Sequence, residues 1–193
     1  TLDRAALREE ALAHFGLRDD LPTLLVTGGS QGARRLNESV CAAADAFAAA
    51  QVQVLHIVGP KGEASPVPIE GGPPYVVVGF VDRMDLAYSA VDTVLCRCGS
   101  NTVTEVSGVG LPAIFVPLPI GNGEQAHNAE PVVDAGGAIL VNDIELTPRW
   151  VREHVPSLLN DESRLAHMSS RASGVIALDG DELLADLIMK AMK

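Results

Sequence analysis

Short apolar runs alternate with longer amphipathic segments along most of the chain. The runs are bounded by Gly, Pro or polar residues and predict six strands, at 23–27, 52–58, 75–80, 93–96, 113–116 and 138–141. In most of these runs Val, Leu and Ile follow one another instead of alternating with polar residues. Strands of that kind are buried on both faces, so the pattern indicates a sheet with helices on either side.

Apolar residues at helical spacing occupy most of the segments between the strands. They predict helices at 5–15, 32–50, 82–90, 101–108, 124–135, 147–159, 162–172 and 181–192. Residues 61–74 are rich in Gly and Pro and predict a loop. Alternation of strands and helices requires right-handed crossovers and a parallel sheet. We therefore predict an α/β fold, a Rossmann-like, doubly wound parallel sheet of about six strands that binds ligands beyond the strands' carboxyl ends.

The composition argues against several classes of protein. The 193 residues have about the length of one domain, and residues 1–193 are predicted to form one. Lys and Arg number 14 and Asp and Glu 25, a net charge of −11, so we expect no nucleic acid partner. The sequence has no apolar stretch of transmembrane length and no signal-peptide pattern, as expected of a cytoplasmic protein. It also lacks a starting Met, and we expect a fragment.

The chain contains three cysteines, Cys41, Cys96 and Cys98. An odd number in a chain of this length is typical of reduced thiols in the cytoplasm. Cys96 and Cys98 raise the alternative of a zinc site, but no second pair of Cys or His ligands lies nearby in the sequence. Free thiols are the favoured interpretation.

The first candidate loop follows the strand at 23–27 and contains Gly28, Gly29, Ser30 and Gly32. Glycines allow the backbone to approach an anion, and the next helix would offer unpaired N–H groups at its N-terminus. The spacing matches neither the dinucleotide fingerprint nor the P-loop. The alternative is a tight turn with Ser30 as the N-cap of the helix. Spacing alone does not decide between a phosphate or sugar contact and this turn.

The second candidate loop follows the strand at 93–96. Gly99 precedes Ser100, Asn101 and Thr102, three small polar residues that would open a helix and bind a diphosphate through their N–H groups. Glu105, one turn further on, could accept hydrogen bonds from both hydroxyls of a ribose. The alternative is a capping box in which Glu105 bonds back to Thr102, and the spacing slightly favours this box.

The third candidate loop covers residues 117–125 and ends with Glu124 and Gln125 at the start of a helix. An adjacent acid and amide offer both acceptors and donors, which suits the hydroxyls of a sugar. The alternative is again a cap, with Asn122 as the N-cap and Gln125 three residues later.

Catalytic machinery is not evident in these loops. They pair no nucleophile with a base and hold no acidic cluster of the kind that binds metal. His127 and Asn128 are predicted to lie on a helix surface. The other histidines are predicted to be structural: His14, His56, His154 and His167. The residues by themselves indicate a domain that binds a nucleotide or nucleotide sugar without a catalytic base of its own.

Five segments in order resemble the C-terminal, donor-binding domain of the MurG family, most closely in its actinobacterial form. They are 28–34 (GGSQGAR), 79–84 (GFVDRM), 96–105 (CRCGSNTVTE), 110–117 (GLPAIFVP) and 123–128 (GEQAHN). The family transfers N-acetylglucosamine from UDP-N-acetylglucosamine to lipid I, which gives lipid II for peptidoglycan. The resemblance covers nearly the whole chain. It implies the C-terminal half of a two-domain GT-B glycosyltransferase.

The resemblance also implies a role for each matching residue. Val81 would present its backbone to uracil. Glu105 would bind the ribose hydroxyls, and for Glu105 the resemblance outweighs the alternative of a capping box. The diphosphate would lie on Ser30, Asn101 and Thr102. The N-acetylglucosamine hydroxyls would face Ser100, Glu124 and Gln125. Many relatives have two glutamines where this chain has Glu124 and Gln125, so the contact of Glu124 is the least defined.

In that family the N-terminal domain, which lies outside this sequence, holds the lipid I site, the proposed base and the membrane-docking patch. The resemblance therefore implies no catalytic residue in this chain. It implies no tightly bound cofactor, with a divalent cation such as Mg²⁺ as an optional aid. The whole protein would be peripheral to the membrane, at the cytoplasmic face of the plasma membrane.

Two other functions stay open. A related UDP-sugar epimerase would need an acidic base near the sugar, for which Glu124 is the candidate. A non-catalytic module would bind a nucleotide for regulation. A dehydrogenase domain is disfavoured, because the strand at 52–58 ends in Gly59-Pro60 instead of an acidic ribose ligand.

Overall fold

The structure is a computed structural model that describes residues 2–29, 33–67, 69–120 and 122–176. In these ranges the strands are β1 (Thr23–Thr27), β2 (Gln53–Ile57), β3 (Tyr75–Val78), β4 (Thr93–Cys96), β5 (Ala113–Phe115) and β6 (Ala138–Leu140). The helices are α1 (Arg4–Phe15), α2 (Arg34–Cys41), α3 (Ala44–Ala49), α4 (Met84–Ser89), α5 (Ser100–Gly108), α6 (Glu124–Asp134), α7 (Pro148–Leu159) and α8 (Glu162–Ala172). The predicted helix at 181–192 lies outside the described residues.

The six strands form one parallel sheet in the order β3-β2-β1-β4-β5-β6. This order confirms the predicted doubly wound α/β fold. Leu25 of β1 lies between Leu55 of β2 and Val94 of β4. The strand order changes direction between β1 and β4, and ligands of such sheets bind outside the carboxyl ends at that point.

Two apolar clusters cover the two faces of the sheet. One cluster contains Leu25 of β1 with residues of α1, α4, α5 and α6. The other contains the neighbouring Leu24 and Val26 with residues of α2, α3 and α7. All five residues of β1 and all five of β2 are buried. The continuous apolar runs in the sequence are therefore explained by burial on both sides.

The predicted helix at 32–50 is wrong in one respect, because the structure divides it into α2 and α3. The Ala43 N–H bonds to the Val40 C=O at 3.0 Å, which tightens the chain into a turn between the two helices. Arg152 of α7 donates to the Ala42 C=O and pairs with Asp45 at 3.0 Å. Residues 42–44 are all alanine, which favours helix, so the local sequence carries no signal for the break. The other predicted elements that fall within the described residues begin and end within two residues of their predicted limits.

Candidate functional site

A cavity of about 340 Å³ opens at the carboxyl ends of the central strands. Its wall includes Thr27 at the end of β1, Ile57 at the end of β2 and the segment after β3. Residues of α4 and α5 also line it. Four of the predicted site residues line it: Gly29, Val81, Thr102 and Glu105. The cavity therefore lies beside the point where the strand order reverses, as expected for this fold.

The first loop leaves β1 at the edge of this cavity. Gly29 has φ of 77°, a conformation that favours glycine, and its N–H donates to Thr27 Oγ1 at 3.3 Å. Gly28 is half-buried beside it. Ser30 and Gly32 lie outside the described residues. Among the described residues, α2 begins at Arg34 with Ala33 in the N-cap position.

The second loop opens α5 with free backbone donors. Gly99 is the N-cap and makes no side-chain capping bond, so Ser100, Asn101 and Thr102 occupy the first three helical positions. The first intrahelical bond runs from the Val103 N–H to the Gly99 C=O at 3.0 Å. The N–H groups of the first three residues therefore have no acceptor within the helix and add to the positive end of its dipole.

The predicted capping box at Thr102 and Glu105 is wrong. Thr102 lies inside the helix rather than at its cap, and the Glu105 carboxylate is bonded elsewhere. Glu105 Oε2 accepts a hydrogen bond from the Tyr88 hydroxyl at 2.8 Å. Tyr88 lies on α4, and burial together with the nearby carboxylate raises the pKa of its phenol far above the ordinary value. Tyr88 was not predicted as a site residue, because nothing in its local pattern indicates a partner on another helix.

Val81 lies in the segment after β3, where its side chain packs against the core. Within the described residues its peptide N–H and C=O make no hydrogen bond. The neighbouring Phe80 is 60% exposed at the same wall of the cavity. A planar ring with adjacent donor and acceptor groups could bond to this peptide.

The third loop places Glu124 and Gln125 at the start of α6 but outside the cavity wall. Gln125 Oε1 accepts from the Leu118 N–H at 3.0 Å, and among the described residues the Gln125 amide NH₂ makes no hydrogen bond. The alternative of a cap at Asn122 does not hold, because Gly123 with φ of 77° is the N-cap of the helix. Glu124 is exposed at the first position of α6. No observation among the described residues gives Glu124 the surroundings of a base, so nothing favours the epimerase alternative.

Asn128 is also more than a helix-surface residue. It is half-buried, and its Nδ2 donates to the Cys98 C=O at 3.2 Å, which joins α6 to the second loop. His127, in contrast, is exposed as predicted and pairs with Glu130 at 3.0 Å.

A buried ion pair joins the ends of β4, β5 and β6. Arg97 Nη2 lies 2.6 Å from Asp143 Oδ1, and Arg35 Nε lies 2.8 Å from Asp143 Oδ2. Arg97 Nη1 also donates to the C=O groups of Val116 and Pro117 at 3.2 and 2.9 Å. These contacts tie the second and third loops together. These contacts were not predicted, since Arg97 and Asp143 are far apart in the chain and nothing in their local sequence pairs one with the other.

Cys41, Cys96 and Cys98 are all free thiols, as predicted. Cys96 and Cys98 are buried, and burial raises the pKa of Cys98 to about 12 and that of Cys96 further. Protonated thiols are poor metal ligands. Across the described ranges no three His, Cys, Asp or Glu side chains are grouped so that they could hold a metal ion. None of the described helices has the length and apolar character needed to cross a membrane.

Comparisons with known proteins match this architecture. Residues 23–184 match the family described as the glycosyltransferase family 28 C-terminal domain. The chain is 61% identical over 191 residues to a UDP-N-acetylglucosamine–N-acetylmuramyl-(pentapeptide) pyrophosphoryl-undecaprenol N-acetylglucosamine transferase of Nocardioides, covering 98% of this chain and 52% of that protein. A protein of the same name from Streptomyces collinus is 57% identical over 193 residues, covering 100% of this chain and 53% of that protein.

Solved glycosyltransferase structures also resemble this chain. The crystal structure of Acinetobacter baumannii MurG superposes with a TM-score of 0.75 at 29% identity, covering 97% of this chain and 53% of that one. A calicheamicin glycosyltransferase superposes with a TM-score of 0.62 at 26% identity, covering 90% of this chain and 45% of that one. The chain thus spans about half the length of the relatives that it matches.

Proposed function

The chain belongs to the glycosyltransferase family 28 C-terminal domains, and from this we propose that it is the donor-binding half of an inverting glycosyltransferase. The proposed donor is UDP-N-acetylglucosamine. The proposed acceptor of the whole protein is lipid I, the pyrophosphoryl-undecaprenol named for the relatives, and the product is lipid II. The observation that carries this proposal is the cavity at the carboxyl ends of the strands, which has the Glu105 carboxylate in one wall.

The proposed nucleoside contacts use two walls of that cavity. The Val81 peptide, whose N–H and C=O make no bond within the described residues, would pair with the adjacent acceptor and donor of uracil. Glu105 would accept hydrogen bonds from the ribose hydroxyls. Both residues line the cavity, which supports their assignment to one ligand.

The proposed diphosphate site is the N-terminus of α5. The N–H groups of Asn101 and Thr102 point out of the helix without intrahelical acceptors, and the helix dipole favours an anion there. Ser30 of the first loop is proposed to join them. Because these donors are already in place, they would stabilise the charge that develops on departing UDP. Ser100, Glu124 and Gln125 are proposed to face the hydroxyls of the sugar.

In the proposed reaction the acceptor hydroxyl attacks the anomeric carbon opposite to the UDP oxygen. The new glycosidic bond forms as the bond to UDP breaks, which inverts the α-linkage to β. The hydroxyl proton would pass to a base outside this chain. We propose that the donor needs no tightly held metal or other cofactor, and that Mg²⁺ at most assists.

Because the acceptor of the relatives carries an undecaprenol chain, the whole protein is proposed to work at the cytoplasmic face of the plasma membrane. This 193-residue chain by itself is proposed to bind the donor without turning it over, and no nucleic acid partner is proposed. Turnover of lipid I by a protein of the relatives' full length would exclude a purely regulatory nucleotide-binding module.

Calorimetric titration of the 193-residue chain tests the donor assignment. We expect saturable binding of UDP-N-acetylglucosamine, weaker binding of UDP-glucose and none of NADH. Glu105→Ala should weaken UDP-N-acetylglucosamine binding by about tenfold or more, since hydrogen bonds to a charged group contribute about 1.5–3 kcal/mol. The matched control is Glu153→Ala on α7, an exposed glutamate remote from the cavity.

Unchanged affinity in Glu105→Ala would refute the ribose assignment. If the wild-type chain binds no donor, the titration is repeated on a protein of the relatives' full length. Failure there as well would overturn the proposed function.

A further inference from the structure

The proposed ribose-binding carboxylate is held by a residue of a different helix. The Tyr88 hydroxyl on α4 donates to Glu105 Oε2 on α5 at 2.8 Å. Tyr88 is only 5% exposed, whereas Glu105 belongs to the exposed residues, and both line the cavity. A buried, fixed donor thus meets a side chain that would otherwise rotate freely in solvent.

Tyr88 itself has little freedom to move. Its ring belongs to the apolar cluster that α1 and α4 share. Its C=O accepts from Arg4 Nε at 2.9 Å, and the Arg4 guanidinium also donates to the Val91 C=O. A shift of Tyr88 would therefore disturb the packing of α1. The phenol stays protonated and remains a donor, because burial raises its pKa.

The bond to Tyr88 leaves half of the carboxylate available. Within the described residues, Glu105 Oε1 makes no hydrogen bond. An exposed glutamate has several rotamers, and ordering such a side chain costs about 1–2 kcal/mol when a ligand has to do it. A carboxylate that is already oriented avoids most of that cost at the moment of binding.

We propose that Tyr88 is a positioning residue that orients Glu105 toward the ribose hydroxyls and so makes the site selective for ribonucleotides. The inference rests on the proposed function, since it assumes a uridine nucleotide in the cavity. An analogue without the 2′ and 3′ hydroxyls leaves the oriented carboxylate without a donor. A site built around a hydroxyl rejects such an analogue more strongly than a flexible site does.

The chain offers a matched control for removing this hydroxyl. Its second tyrosine, Tyr75, also bonds to a side chain, His56 Nδ1 at 3.0 Å, but does not line the cavity. Tyr88→Phe and Tyr75→Phe therefore each delete one phenol hydroxyl, the first from a buried tyrosine and the second from a half-buried tyrosine. Thermal melts show whether each variant is folded, and the phenylalanine ring preserves the packing in both.

The experiment is a calorimetric titration of wild type and both variants with UDP and with 2′,3′-dideoxy-UDP. Tyr88→Phe should weaken UDP binding about five- to tenfold, the range for one net hydrogen bond, and leave dideoxy-UDP within twofold. Tyr75→Phe should change neither affinity. In a Glu105→Ala background, which removes the acceptor of the Tyr88 hydroxyl, Tyr88→Phe should have no further effect on UDP binding.

A merely structural role for Tyr88 would lower the affinity for both ligands alike, and that result would overturn the proposal. Unchanged UDP affinity in Tyr88→Phe would overturn it as well. Absence of UDP binding by wild type is a different outcome, because it counts against the proposed function rather than against Tyr88.

Discussion

The hydrogen-bond partners of the buried residue His56 determine its protonation state. His56 of β2 is fully buried between Asn37 and Tyr75. Asn37 Nδ2 donates to the Val58 C=O at 3.1 Å, which leaves its Oδ1 to accept from His56 Nε2. His56 Nδ1 must then accept from the Tyr75 hydroxyl. The histidine is therefore neutral. Its role is structural, as predicted from the sequence.

The pH dependence of stability follows from this neutral state. Burial lowers the pKa of His56 to about 4, whereas the unfolded chain binds a proton near the ordinary value of about 6.5. The unfolded state therefore binds more protons between these two values, and the stability that His56 contributes is lost as the pH falls through them. The expected loss is about 3 kcal/mol in the free energy of unfolding.

Urea unfolding at several pH values between 7.5 and 4 measures this loss. At each pH, the difference in the free energy of unfolding between wild type and His56→Gln separates the contribution of His56 from that of the carboxylates. The control is His154→Gln at an exposed histidine, which should keep the wild-type slope. Equal slopes in wild type and His56→Gln would contradict the prediction.

At the scale of elements, the ends of the strands are joined by charge as well as by the ladder of backbone bonds. Asp143, after β6, contacts both Arg97, after β4, and Arg35 of α2. The side chains of Arg97 and Asp143 are 11% and 9% exposed, so water hydrates neither charge well. Removal of one partner of a buried ion pair leaves the other charge uncompensated, which costs more than the pair contributes.

We expect Asp143→Asn to lower the free energy of unfolding by about 3 kcal/mol, because it leaves Arg97 buried without a counter-charge. Urea denaturation at pH 7 gives the value. The matched control is Glu153→Gln, which breaks the exposed Arg149–Glu153 pair and should cost at most about 0.5 kcal/mol. A loss below 1 kcal/mol in Asp143→Asn, on the order of an exposed pair, would show that the buried pair is not coupled to folding.

At the scale of the whole molecule, stability depends on both faces of one sheet. Leu24 and Leu25 are adjacent in β1, and both are fully buried. They belong to different apolar clusters because successive side chains of a strand point to opposite faces. A doubly wound sheet has helices on both faces, so neither side chain meets solvent.

Leu24→Ala and Leu25→Ala should therefore each destabilise the chain, by about 3 kcal/mol, through a cavity on its own face. Both variants should unfold in a single transition with an unchanged dependence on urea concentration, since the clusters share the sheet. Ile144→Ala, at a side chain 76% exposed, is the control and should stay close to wild type. A loss of stability in only one of these two leucine variants would contradict a core that covers both faces of the sheet.

Sequence alone predicted the strands, their parallel arrangement and the loops that surround the cavity. These features depend on local periodicity. A continuous apolar run such as that of β1 predicts a buried strand without any knowledge of the segments that pack against it. The positions of Gly29, Val81, Thr102 and Glu105 around one cavity follow from the topology, since the carboxyl ends of parallel strands meet at one edge. Their roles toward a ligand remain predictions, as do those of Ser30 and Gly32.

Tertiary structure decided the partners of the polar side chains and the break between α2 and α3. Spacing favoured a capping box for Glu105, but the carboxylate bonds to Tyr88 because the fold brings the Tyr88 hydroxyl of α4 within 2.8 Å of it. The charge of Arg97 is balanced by Asp143, which reaches it from beyond β6. Local spacing cannot distinguish such arrangements from caps or solvated surfaces. Contacts between distant segments form only after the sheet has brought its strand ends together.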